Sequence, residues 1–123
     1  MDCKPILIVE DDMGIRSSLR EFFEGDGYPV LLADQGQAAL DLLGMDSTPK
    51  LGLIFLDLMM PVMDGPTFLL ELERNYPKIF SQIPIFVITA EGDAHRLTIK
   101  ATGFLKKPFD MNELSRVVTQ YCG

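Results

Sequence analysis

The chain has 123 residues, 47% of them hydrophobic and 24% charged, with a formal net charge of −7. That length suits one domain, here read as 1–123, with a real core, and the apolar content excludes a disordered chain. The acidic balance opposes direct nucleic-acid binding and adhesion to anionic lipid. No apolar run is long enough to cross a membrane, and no basic-then-apolar leader opens the sequence, so a cytoplasmic location is expected. Cys3 and Cys122 are too few for a disulfide framework and read as free thiols.

In chain order, Pro5-Ile6-Leu7-Ile8-Val9 is a β-branched apolar run and predicts a buried strand that ends in Glu10-Asp11-Asp12. Ile15, Leu19, Phe22 and Phe23 follow at helical spacing, with Arg16, Arg20 and Glu21 off that stripe. Asp12 suits the N-cap of this helix, and the Gly25–Gly27 stretch ends it. A second strand is expected over 28–33. Asp34-Gln35-Gly36 then turns the chain into a helix carrying Ala39, Leu42 and Leu43.

Leu53-Ile54-Phe55-Leu56 runs without polar alternation into Asp57, as a strand covered on both faces would. Pro61 and Asp64-Gly65 supply turn chemistry, and Pro66 suits the first turn of a helix with the stripe Phe68, Leu72, Tyr76. A loop is expected over 75–82, around Pro77. Ile83-Pro84-Ile85-Phe86-Val87-Ile88 predicts a fourth strand, ending at Thr89. A short polar helix is expected over 93–102. Gly103-Phe104-Leu105-Lys106-Lys107 predicts a fifth strand, closed by Pro108. Asp110 caps a last helix with the stripe Met111, Leu114, Val117, Val118, Tyr121.

Five strands alternating with five helices imply an α/β fold, a parallel sheet with helices on both faces and right-handed crossovers. Such sheets place their ligand crevice at the C-terminal ends of the strands. At those ends stand Glu10 and Asp11, Asp57, Thr89 and Lys107. Pro108 keeps Lys107 extended, whereas Lys106 reads as a solvated neighbour. Two like charges about 4 Å apart cost roughly 4 kcal/mol at an effective dielectric near 20, so three clustered acids need a cation. All-oxygen ligation suits Mg²⁺ or Mn²⁺. On so acidic a chain any single acid is as well explained as a surface group, and only the shared position singles these out.

Val9-Glu10-Asp11-Asp12, Asp57-Leu58-Met59-Met60-Pro61-Val62-Met63-Asp64-Gly65, Thr89-Ala90 and Lys107-Pro108-Phe109, in that order, resemble the receiver domain of bacterial response regulators, the chemotaxis-regulator-like superfamily. The resemblance covers essentially the whole chain. It implies a flavodoxin-like fold with strand order 2-1-3-4-5, and a phosphorelay role in two-component signalling. Asp57 would accept a phosphoryl group from a sensor histidine kinase or a histidine phosphotransfer protein. Glu10, Asp11 and Asp57 would hold Mg²⁺ (or Mn²⁺), joined by the backbone carbonyl of Met59. Thr89 would bond a phosphoryl oxygen, and Lys107 would pair with the same group. Thr89 and Phe104 would form the switch, although Phe104 reads equally as a core phenylalanine. A downstream protein would dock on the face made by the polar helix, the fifth strand and the last helix.

From Thr89 to Lys107 the chain is about one helical turn shorter than most receivers, which puts that output face in doubt. The sequence ends soon after the last helix, so no output domain is expected within it, and both a single-domain regulator and part of a longer chain stay open. His95 reads as a surface group; Glu91 reads either as a solvated loop acid or, by the resemblance, as a group near the site entrance that tunes phosphoryl lifetime; Met60 reads as packing or a kinase contact. The chain is not expected to be an enzyme beyond catalysing its own phosphorylation and dephosphorylation. An aspartate-nucleophile phosphohydrolase wants a second acid where Met59 stands, and a nucleotide or flavin carrier wants a glycine-rich loop after the first strand, where Glu10-Asp11-Asp12 stands.

Overall fold

The strands are held in one five-stranded parallel sheet: β1 (Ile6–Val9), β2 (Val30–Ala33), β3 (Leu53–Asp57), β4 (Ile85–Thr89) and β5 (Gly103–Lys106), in spatial order β2-β1-β3-β4-β5. This computed structural model describes residues 4–45, 50–58, 63–89, 101–106 and 110–122. Five helices are present among them: α1 (Met13–Gly25), α2 (Gly36–Leu43), α3 (Gly65–Asn75), α4 (Pro77–Gln82) and α5 (Met111–Cys122). The sheet order is the expected one.

Continuous apolar strands follow from burial on both sides. Successive side chains alternate between two core layers. Ile6, Ile8, Leu53, Phe55, Phe86, Ile88 and Leu105 pack with Leu19 and Phe23 of α1 and with Leu114 and Val118 of α5. Leu7, Val9, Ile54, Leu56, Ile85 and Val87 pack with Ala39 and Leu40 of α2 and with Phe68, Leu69 and Leu72 of α3. Phe23 stacks on Phe55, ring centroids 5.4 Å apart and planes 6° apart, which clamps α1 onto the centre of the sheet.

Three of the helix starts, those of α1, α3 and α5, are fixed by acids. The Asp12 carboxylate accepts the Ile15 N–H at 2.9 Å, and that of Asp64 accepts the Thr67 N–H at 2.9 Å. Asp110 accepts the Asn112 N–H through its side chain and the Leu114 N–H through its carbonyl. At the end of α1, Gly27 adopts φ +90°, a conformation open to glycine at little cost.

Several expectations need correcting. Residues 75–82 do not form a loop. Asn75 ends α3, and Pro77 opens α4, six residues long. Proline lacks the N–H that a helix start leaves unused, so at this position it begins a helix rather than breaking one. β2 starts at Val30 and not at residue 28, because Tyr28 donates its N–H back to the Phe23 carbonyl. β4 likewise starts at Ile85. Ala101 and Thr102 are not helical: the Thr102 N–H donates to the Ile85 carbonyl at 2.8 Å, and Thr102 Oγ1 accepts the Ile85 N–H at 3.0 Å. The rest of the polar helix expected over 93–102 lies outside the described residues. On α5 the apolar stripe is narrower than expected, with Met111 and Tyr121 exposed. No described helix is long and apolar enough to cross a membrane.

The sheet order sets the place of any site. From β1 the chain passes to β2 on one side, and then to β3 on the other. The two connections diverge, which leaves a crevice above the C-terminal ends of β1 and β3.

Candidate functional site

Register brings the acids together. Val9 pairs with Leu56 across β1 and β3, so the next residues, Glu10 and Asp57, stand at adjoining strand ends. Carboxylate oxygens of Glu10, Asp11 and Asp57 all lie within 4.8 Å of one another. Glu10 and Asp57 are buried (0% and 2% exposed), whereas Asp11 is exposed at the rim. Three hard oxygen donors at this spacing, two of them shielded from solvent, match the ligand preference of a small divalent cation such as Mg²⁺. The residues present therefore fit the ion expected from the sequence.

The turn from β1 into α1 is tied by several hydrogen bonds. The Glu10 N–H donates to the Ala33 carbonyl at 3.0 Å, and the Asp12 N–H donates to Glu10 Oε2 at 3.2 Å. The Asp12 carbonyl accepts the Arg16 N–H at 2.9 Å. Arg16 Nη1 reaches back to the carbonyls of Glu10 (2.9 Å) and Asp11 (3.0 Å). Neither the Arg16 contact nor the link from Asp12 to Glu10 was foreseen. A signal for the first existed: side chains in a helix tilt towards its N-terminus, so a long cation in the first turn overlies the preceding loop.

On the other side of the crevice, β3 ends against the start of α3. The Leu58 N–H donates to the Ile88 carbonyl at 3.0 Å, and the Gly65 N–H donates to the Leu58 carbonyl at 2.9 Å. A Cβ at Gly65 would stand 2.8 Å from Leu58 Cα and 3.1 Å from the Asp57 carbonyl oxygen. Glycine is thus required for α3 to approach the strand end that carries Asp57.

The other candidates are placed less fully. Thr89 ends β4 and pairs with Lys106 of β5, which puts its backbone at the same edge of the sheet. Its side chain, together with Met59, Met60, Glu91, His95 and Lys107, lies outside what the structure describes. Lys106 is exposed, in line with its reading as a solvated neighbour. Phe104 belongs to neither core layer and is 36% exposed on β5, so the alternative reading as a core phenylalanine is corrected. Its position in the strand puts it beside Val87.

Comparison with known proteins gives a consistent result. Residues 6–119 match the family model of the response regulator receiver domain. Response regulator MprA of Mycolicibacterium vanbaalenii is 38% identical over 113 residues, covering 89% of this chain. The chain spans 46% of the length of that relative. Among solved structures, the receiver domain of sensor histidine kinase PA1611 from Pseudomonas aeruginosa PAO1, with a magnesium ion coordinated in its active site cleft, superposes with a TM-score of 0.81. It is 26% identical, with 97% of each chain covered. The signal receiver domain of a signal transduction histidine kinase from Syntrophus aciditrophicus superposes with a TM-score of 0.83 at 27% identity, covering 96% of this chain and 89% of that one.

Proposed function

The chain belongs to the response regulator receiver family of two-component signalling, and from that premise we propose that Asp57 is its phosphoacceptor, taking a phosphoryl group from a sensor histidine kinase or a histidine phosphotransfer protein. The observation that carries this reading is the convergence of Glu10, Asp11 and Asp57 at the divergent crossovers of the sheet. Of the three, Asp57 alone comes from β3, and it is nearly enclosed.

Glu10, Asp11 and Asp57 would hold the divalent cation, with the Met59 carbonyl as a further ligand. Bound there, Mg²⁺ would supply positive charge to offset that of the phosphoryl group. An Asp57 carboxylate oxygen forms the new bond to phosphorus while the bond to the donor nitrogen breaks, leaving an acyl phosphate. The Lys107 ammonium pairs with the phosphoryl oxygens, and the Thr89 hydroxyl donates to one of them. Hydrolysis by water returns the carboxylate.

The product carries more negative charge than a carboxylate and more acceptor oxygens. Drawing Thr89 towards it vacates space behind β4, into which Phe104 turns from its exposed position on β5. The face carrying β5 and α5 then changes its affinity for a downstream protein. Turnover at this chain is limited to its own phosphorylation and dephosphorylation, in the cytoplasm. The net charge of −7 supports output through protein contacts rather than direct contact with nucleic acid or membrane.

Incubation with acetyl phosphate and Mg²⁺, followed by intact-mass measurement, tests the assignment. A gain of one phosphate is expected, absent in Asp57→Asn and absent with chelator. A folded chain that gains nothing, or an Asp57→Asn variant that still gains phosphate, overturns it.

A further inference from the structure

Arg16 is the one cation that the described structure attaches to the backbone of the acid pair. It leaves α1 from the first turn, and its Nη1 donates to the carbonyls of both Glu10 and Asp11, at 2.9 and 3.0 Å. Its side chain is only half-buried, and no ion pair to a carboxylate is found for it among the described residues. Its partners are the two carbonyls of the turn. We infer that Arg16 is a positioning residue for the divalent cation: it fixes the β1–α1 turn so that the Glu10 and Asp11 carboxylates face Asp57. This rests on the metal and phosphoacceptor reading above and adds a residue to it.

The geometry favours positioning over simple charge compensation. Each carbonyl belongs to one of the two acids, so holding both fixes the two peptide planes that flank the Asp11 Cα, Glu10–Asp11 and Asp11–Asp12. Elsewhere in the turn, the Glu10 N–H is held by the Ala33 carbonyl, Glu10 Oε2 by the Asp12 amide, and the Asp12 carbonyl by the first turn of α1. Without Arg16, the Asp11 carbonyl loses its partner, and the peptide linking Asp11 to Asp12 is held only at its N–H, by the long 3.2 Å bond to Glu10 Oε2. Asp11 is the exposed member of the three, so it has least packing to keep it aimed. Outer contacts of this kind commonly govern metal affinity by about 10- to 100-fold.

The two roles predict opposite signs. A guanidinium near a cation site repels the cation, so if charge alone mattered, its removal would tighten Mg²⁺ binding. If Arg16 positions the ligands, removal weakens binding despite the lost repulsion. Arg16→Met keeps the apolar stem and removes the donors. Arg16→Lys keeps the charge and a single donor group. Mg²⁺ affinity is measured by calorimetry on the intact chain, and Mn²⁺ affinity by electron paramagnetic resonance, with the metal-free melting temperature recorded beside each.

The expected result is at least a fivefold loss of affinity in Arg16→Met, and recovery of part of that loss in Arg16→Lys, with metal-free melting temperatures close to the parent's. Unchanged or tighter binding in Arg16→Met overturns the assignment. So does an equal loss in both variants that tracks a lowered metal-free melting temperature, which marks a purely structural contact. A parent chain that binds neither ion overturns the underlying metal reading, and is thereby distinguished from a failure of Arg16 alone.

Discussion

Replacing Asp57 with asparagine separates what the acid cluster costs from what it does. Glu10 and Asp57 are both buried and have oxygens within 4.8 Å, so their repulsion is about 3.5 kcal/mol at an effective dielectric near 20. The pair with exposed Asp11 at the same limit is closer to the bulk-water figure, about 0.9 kcal/mol. The Asp12 N–H donated to Glu10 Oε2 offsets part of this sum. Asparagine keeps the shape and removes the charge. In chelator, Asp57→Asn should therefore be more stable than the parent by about 1–3 kcal/mol. At roughly 4 °C per kcal/mol for a chain of this size, the melting temperature should rise by about 4–12 °C. Saturating Mg²⁺ should reverse the order or close the gap. An ion at 100 times its dissociation constant adds about 2.7 kcal/mol to the parent, and little to a variant that has lost a ligand. Differential scanning fluorimetry with and without Mg²⁺ reads both effects. A variant that melts at or below the parent in chelator refutes the repulsion argument; equal Mg²⁺ shifts in the two chains refute the role of Asp57 as a ligand.

Gly65→Ala puts a methyl group 2.8 Å from Leu58 Cα and 3.1 Å from the Asp57 carbonyl oxygen, so backbone must move. A loss of about 1–3 kcal/mol in urea unfolding is expected, with weaker Mg²⁺ binding because the strand end that moves carries Asp57. Phe55→Ala removes a fully buried ring stacked on Phe23. It should cost about 3–5 kcal/mol by the same measurement, while the chain that remains folded keeps its Mg²⁺ affinity.

The acids of the candidate site were legible because the strands that carry them are buried on both faces. An apolar run has no polar residue of its own to spare, so the acids at its end stand out: Glu10 after Val9, Asp57 after Leu56. Their adjacency depended on strand order, which the alternation of elements alone does not supply; the family resemblance did, and the Val9–Leu56 pairing bears that order out. α4 was missed for a different reason. Six residues are too few to show a helical period, and Pro77 reads equally as a breaker or a first residue. The role of Arg16 was not legible, because its position off the apolar stripe of α1 shows only that it does not face the core. Helical periodicity separates buried from exposed faces, but is blind to what a long side chain touches beyond the end of its own helix.

The order in which the strands lie has a consequence during synthesis. β1 and β2 are made first, yet the neighbour that completes the site on the other side of β1 is β3. Glu10 and Asp11 thus leave the ribosome well before the acid they will face. Until Leu53–Asp57 emerges and pairs with Ile6–Val9, no third carboxylate exists to close the cluster. If Asp57 is the acceptor, as proposed, a nascent chain that has folded only its first two strands has nothing with which to capture a phosphoryl group. On that reading, competence to receive a signal arrives together with the central strand, and an unfinished chain does not draw phosphate away from finished ones.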